Sequence, residues 1–131
     1  MEMTIYFPKG KKVNADFQKF TVETDQSIED GGEDSAPQPL SLFLASIGTC
    51  TGHYVNSFCQ KRNINTKNIK LFLNAKRDEK THLFYKIDIK IQVPKDFPEI
   101  YYNALIKSAS LCSVKKHLEN PPEINLSLNK E

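Results

Sequence analysis

From Pro39 to Gln60 no residue of the chain carries a fixed charge. Leu40, Phe43, Leu44, Ile47, Tyr54, Val55 and Phe58 recur through this stretch at helical spacing, so it reads as one long helix. Pro39 suits its first turn, and "RNIN" ends it near Arg62. Ser41, Ser46, His53, Asn56, Ser57 and Gln60 interrupt the apolar runs, whereas a membrane helix wants ~20 predominantly apolar residues. The stretch is therefore read as a helix of a soluble protein, buried on most sides. Its waist, Gly48-Thr49-Cys50-Thr51-Gly52, consists of poor helix formers. On a wheel of about 100° per residue with Cys50 at the origin, the apolar stripe runs from Phe43 and Tyr54, at about 20–40°, to Leu44 and Val55, at about 120–140°. Cys50 thus lies on one shoulder of the stripe. The remaining arc holds Gly48, Gly52, Ala45, Asn56 and Thr49, small uncharged residues that let another backbone come close. A chain of 131 residues builds one domain around one core. Its own sheet covers one face of such a helix, and covering the second calls for another subunit.

The flanking segments read as strands and shorter helices. Met3, Ile5 and Phe7 alternate with Thr4 and Tyr6 as a first strand; "DFQKFTVETD" is a second, with Lys11 and Lys12 near the turn between them. "SIEDGGEDSAPQP" is an acidic loop. After the long helix, Ile69, Leu71, Leu73 and Ala75 share one face of a strand. Leu83, Tyr85, Ile87, Ile89, Ile91 and Val93 share one face of the next, and strict period two makes the pair an antiparallel hairpin. "DFPEIYYNALIKSASLC" is a helix capped by Asp96 and ending near Cys112; "SVKKHLEN" is a short helix capped by Ser113. "EINLSLNK" closes the chain as a strand with Ile124, Leu126 and Leu128 inward. The order β-β-α-β-β-α-α-β, with helices on one side of hairpin-paired strands, is an α+β fold.

Composition narrows the function classes. Charged residues are 26% of the chain and the net charge is +2, with the lysines scattered, which gives no case for nucleic acid. Met1 to Phe7 has no basic region of a secretory signal, and three cysteines in an unexported protein suggest reduced thiols, so the expected place is the cytoplasm. Paired short metal-ligand spacings are absent, so no structural metal site is expected. Cys59 lies about 180° from Cys50 and ~13 Å further along the helix, too far for a disulfide inside an intact helix. Cys112 precedes a short helix, with Lys115 and Lys116 adding positive field, a setting that favours a thiolate. The plain alternative for all three cysteines is that they are small buried hydrophobes. His53, one turn from Cys50, is a candidate to assist its thiolate; packing or solvent exposure is the alternative.

With these cysteines placed, the chain resembles the OsmC/Ohr family of osmotically inducible and organic-hydroperoxide-resistance proteins. "GGEDSAPQPLSLFLASIGTCTGHYV" looks like that family's glycine-rich loop and first cysteine helix. "LCSVKKHLENPPEINLSL" looks like its second cysteine segment, where Cys-Pro-Val or Cys-Ser-Val opens a short helix. The resemblance spans nearly the whole chain as a single domain, 1–131. It implies an intertwined homodimer with back-to-back central helices and active sites at the interface. It implies that Cys50 attacks a small organic hydroperoxide and becomes a sulfenic acid. Cys112 then resolves that acid as a disulfide, at the expense of a dithiol reductant, with no metal or organic cofactor.

Two features depart from the characterised enzymes, in which a glutamate at the position of Leu40 clamps an arginine from the N-terminal strands. The only arginines are Arg62 and Arg77, and Lys11 or Lys12 brings charge without the bidentate fork. The chain therefore looks closer to a poorly characterised OsmC-like branch. Cys50, near mid-helix and beside apolar neighbours, is expected to gain little from a helix terminus. A loss of about 10²-fold in rate follows if one charge-assisted contact worth about 2–3 kcal/mol is missing. The competing readings are a noncatalytic relative that binds a small apolar ligand at the dimer interface, and a redox sensor acting through its disulfide.

Overall fold

A computed structural model describes residues 1–130. The chain forms two compact units, Met1–Ala45 and Ser46 onward. The first unit is a three-stranded antiparallel sheet and a loop. Strands β1 (Thr4–Tyr6), β2 (Val13–Phe17) and β3 (Phe20–Thr24) pair in chain order, with Ile5 opposite Ala15 and Ala15 opposite Val22. The segment expected as one strand is thus split. Phe17 pairs with Phe20 across a two-residue turn, and Gln18 takes the left-handed conformation at φ 52°. No glycine, asparagine or proline announces this turn. Lys11 and Lys12 lie in the β1–β2 turn, as expected.

The loop after β3 is organised by Asp25, which is 1% exposed. Its carboxylate accepts hydrogen bonds from the N–H groups of Gln26, Glu33 and Ser35 and from the Ser35 hydroxyl. These bonds, partly offset by burial, hold its carboxyl down at about 2. Gly32 is required there, since a Cβ would lie 2.1 Å from the Gln26 carbonyl oxygen. Lys12 reaches the same loop and pairs with Glu33 at 3.6 Å.

Helix α1 (Pro39–Gln60) begins where proline allows and runs 22 residues. Its buried side chains are Ile47, Thr51, Val55, Phe58 and Cys59. The waist is self-satisfying: the Thr51 hydroxyl donates to the Ile47 carbonyl at 2.8 Å. Val55, Phe58 and Cys59 join Phe97, Leu105 and Ala109 in one core. At the helix end Arg62 donates to the Phe58 carbonyl at 3.1 Å and its guanidinium lies 3.6 Å from the centroid of the Phe58 ring.

Strands β4 (Lys70–Arg77) and β5 (Phe84–Gln92) form the expected hairpin, with Leu71, Leu73 and Ala75 opposite Ile91, Ile89 and Ile87. The expected alternation fails at its start. A register shift between Lys76 and Arg77 pairs Arg77 with Phe84, so Phe84 is half-buried while Leu83 and Tyr85 are exposed. One extra residue flips every side chain beyond it to the other face.

The next helix does not start at Asp96. Phe97 precedes a proline, which keeps it out of helical conformation. A 3₁₀ turn, Glu99–Tyr101, follows Pro98 and leads into α2 (Tyr102–Ala109). Helix α3 (Ser113–Glu119) is capped by Cys112 itself, not by Ser113. Residues 121–130 form no strand, and Ile124, Leu126 and Leu128 are 83%, 97% and 96% exposed rather than inward. A strand needs a neighbour to satisfy its backbone, and among the described residues no strand pairs with the segment. Antiparallel sheets beside three helices make the fold α+β.

Candidate functional site

Cys50 projects from the weak waist of α1 and is half-buried. Gly48 beside it packs on the chain's own hairpin, where a Cβ would meet Leu73 at 3.6 Å; Gly52 faces nothing within 4 Å. The arc expected to be open is therefore partly closed by β4.

Cys112 ends the link from α2 and opens α3. Its backbone, at φ −46° and ψ 120°, is not helical, and its sulfur accepts from the Lys115 N–H at 3.4 Å. That is the position and role of an N-cap, filled by sulfur in place of oxygen. The side chain is 1% exposed. With Cys112 at the cap, Ser113 becomes the first helical residue, and its hydroxyl lies 3.5 Å from the Cys50 sulfur.

The structure therefore brings Cys50 together with Cys112 and the start of α3. Burial pushes the Cys50 thiol up. The Ser113 hydroxyl, the Val114 N–H, the Cys112 thiol and the Ser113 N–H outweigh it and bring it down to about 7. The expectation that Cys50 lacks a helix terminus is corrected: its own helix offers none, but α3 does. Sequence reasoning missed Ser113 as a partner of Cys50 because the contact joins distant segments. The only local signal was a serine next to the second cysteine.

The other candidates have surroundings of their own. His53 is exposed, and its ring packs edge-on against Tyr54 with centroids 5.2 Å apart. Lys11 and Lys12 belong to the first unit, where Lys12 pairs with Glu33 and the Lys11 stem passes Gly31. Leu40 stands in the first turn of α1, 40% exposed. Arg77 donates to the His82 carbonyl at 2.7 Å and Arg62 is bound at the end of α1. Cys59 sits in the core, where burial pushes its thiol up against the weaker pull of Arg62.

An apolar cavity of about 340 Å³ lies nearby in the second unit, lined by Ile47, Ile87, Ile89, Ile91, Ile106 and Leu118, with Lys115 and Ser110 among its polar groups. Among the described residues no helix is long and apolar enough to cross a membrane. No three His, Cys, Asp or Glu side chains among them converge as a metal site.

The sequence model of a family described as OsmC-like protein matches residues 32–127. No curated protein sequence matches the chain. Among solved structures, an OsmC-like protein from Mycoplasma pneumoniae is 13% identical with a TM-score of 0.71, over 92% of this chain and 87% of that one. An organic hydroperoxide resistance protein OsmC from Legionella pneumophila is 15% identical with a TM-score of 0.58, over 90% and 89%. The organic hydroperoxide resistance protein OhrB of Bacillus subtilis is 20% identical with a TM-score of 0.52, over 92% and 93%. These are likenesses of fold.

Proposed function

The chain belongs to the OsmC-like protein family, and from that premise we propose that it is a thiol-dependent peroxidase for organic hydroperoxides. The observation that carries the reading is the meeting of Cys50 with Cys112 and Ser113 at the start of α3. A thiol lowered to about 7 is substantially ionised near neutral pH, and the thiolate is the nucleophile.

In this reading the Cys50 thiolate attacks the terminal oxygen of the hydroperoxide. An S–O bond forms, the O–O bond breaks, and the leaving alkoxide takes a proton to become an alcohol. The Cys112 thiol then attacks the sulfenic sulfur; an S–S bond forms and the hydroxyl leaves as water. An external dithiol returns two electrons and restores both thiols. Cys59 takes no part, being enclosed in the core.

The working unit in this proposal is a cytoplasmic homodimer of single OsmC-like domains. Leu40, Phe43, Ile106 and Leu118 stay exposed in one chain, as does the alternating C-terminal segment, which supports a second subunit covering them. Mass spectrometry after mild treatment with cumene hydroperoxide tests the chemistry: the expected product links Cys50 to Cys112 and leaves Cys59 free. Three free thiols, or a dominant bridge to Cys59, would refute it. The apolar cavity favours a second reading, a noncatalytic relative that holds a small apolar ligand. A ligand that survives purification in a protein without dithiol-dependent peroxide turnover would select that reading.

A further inference from the structure

A cysteine in the middle of a helix has no free N–H groups of its own helix to stabilise a negative sulfur, because each is bonded one turn back. Cys50 is in that position. The groups that reach it come from the first turn of α3: the Ser113 hydroxyl at 3.5 Å and the N–H groups of Ser113 and Val114. The N–H groups of a first helical turn have no partner within their helix, and the Ser113 hydroxyl is not used as the cap, since Cys112 takes the Lys115 N–H.

Several charged or titratable groups of the second unit have other partners, among them His117, whose ring Nδ1 lies 2.6 Å from the Ser113 carbonyl oxygen. The Lys115 ammonium pairs with Glu119 at 3.8 Å. Arg62 is stacked on Phe58, and Arg77 is bonded to the His82 carbonyl. His53, on the same helix as Cys50, packs its ring against Tyr54. Cys112 is the other titratable group at the sulfur. The contacts that hold the sulfur are thus uncharged, and among them the Ser113 hydroxyl is a side chain that can be removed without touching the backbone.

We infer that Ser113 is a positioning residue for Cys50: fixed at the first position of α3, its hydroxyl donates to the Cys50 sulfur and holds it as a thiolate. The inference deepens the peroxidase reading and rests on Cys50 being the reactive thiol of that site. A hydroxyl that donates to an anion gives a stronger bond than the same hydroxyl paired with a neutral thiol, so it favours the ionised form. Its removal leaves the fold of α3 in place, since Cys112 and not Ser113 is the cap.

Site-resolved alkylation of Cys50 by iodoacetamide, followed by mass spectrometry across roughly pH 5 to 10, is the test. In Ser113→Ala the pH midpoint for Cys50 is expected to rise by about one pH unit. In Ser113→Thr, which keeps a hydroxyl, it is expected to return to the wild-type value. An unchanged midpoint in Ser113→Ala overturns the inference, as does a rise that threonine fails to reverse. Ser113→Pro is a second variant that fits the backbone, because Cys112 already holds ψ 120° and proline suits the first helical position. It removes hydroxyl and N–H together, so its rise is expected to equal or exceed that of Ser113→Ala, and an unchanged midpoint sinks the inference. Alkylation consumes no peroxide. A shifted midpoint in a protein without hydroperoxide turnover therefore sustains the role of Ser113 and defeats the peroxidase reading alone.

Discussion

Asp25 and Cys50 are two side chains whose charged forms the fold favours through hydrogen bonds alone. For Asp25 the folded value near 2 lies below the ordinary 3.8, so its contribution to stability is complete above about pH 4 and fades as pH falls toward 2. Denaturant unfolding in that window is expected to show a steep acid loss that Asp25→Asn flattens. For Cys50, inactivation by iodoacetamide and turnover of cumene hydroperoxide are both expected to climb through about pH 7 and level off above it. In the same turnover assay Cys50→Ser is expected to remove activity, and Leu40→Glu alone is expected to leave the rate unchanged, because no arginine precedes it in the sequence to be clamped. The two cysteines that the fold brings together stand in the sequence as two cysteine motifs. What holds Cys50 was not legible there: the cap had to shift by one residue, from Ser113 to Cys112, before the serine was free to meet the sulfur.

At the scale of elements, regular patterning was readable and interruptions were not. The uncharged run became α1, and the apolar alternation from Leu71 to Ala75 and from Ile87 to Ile91 became the hairpin, because burial enforces each period. The split of the second strand turns on Gln18, a residue type that rarely signals a turn. The bulge near Phe84 exists only relative to a partner strand, so one strand's sequence does not contain it. The late start of α2 was in principle legible from Pro98. Two glycines give opposite expectations. Gly32→Ala drives a methyl into the Gln26 carbonyl and is expected to cost about 1–3 kcal/mol in thermal or denaturant unfolding. Gly48→Ala places its methyl at an ordinary 3.6 Å from Leu73 in a helix interior and is expected to be neutral or to stabilise by up to about 1 kcal/mol.

For the whole molecule, the C-terminal segment is the informative disagreement. Its alternation of Ile124, Leu126 and Leu128 is the pattern of a half-buried strand, yet within one chain it has nothing to pair with. Periodicity reports that a face suits being covered and is silent on what covers it. Sedimentation is expected to show a dimer at micromolar concentration with an interface above ~2,000 Å². Gly52→Leu, which fills a face open within one chain, is expected to weaken it. A second consequence concerns time rather than assembly. Cys59, with no exposed surface, sits among Val55, Phe58 and Leu105. A reagent meets it only when that core opens, while Cys50 on the same helix stays within reach. The lag between the two labelling rates is an internal clock for core opening, expected to run about 10³-fold or more slower at Cys59. The natural sequence thus carries its own gauge of how often the second unit comes apart.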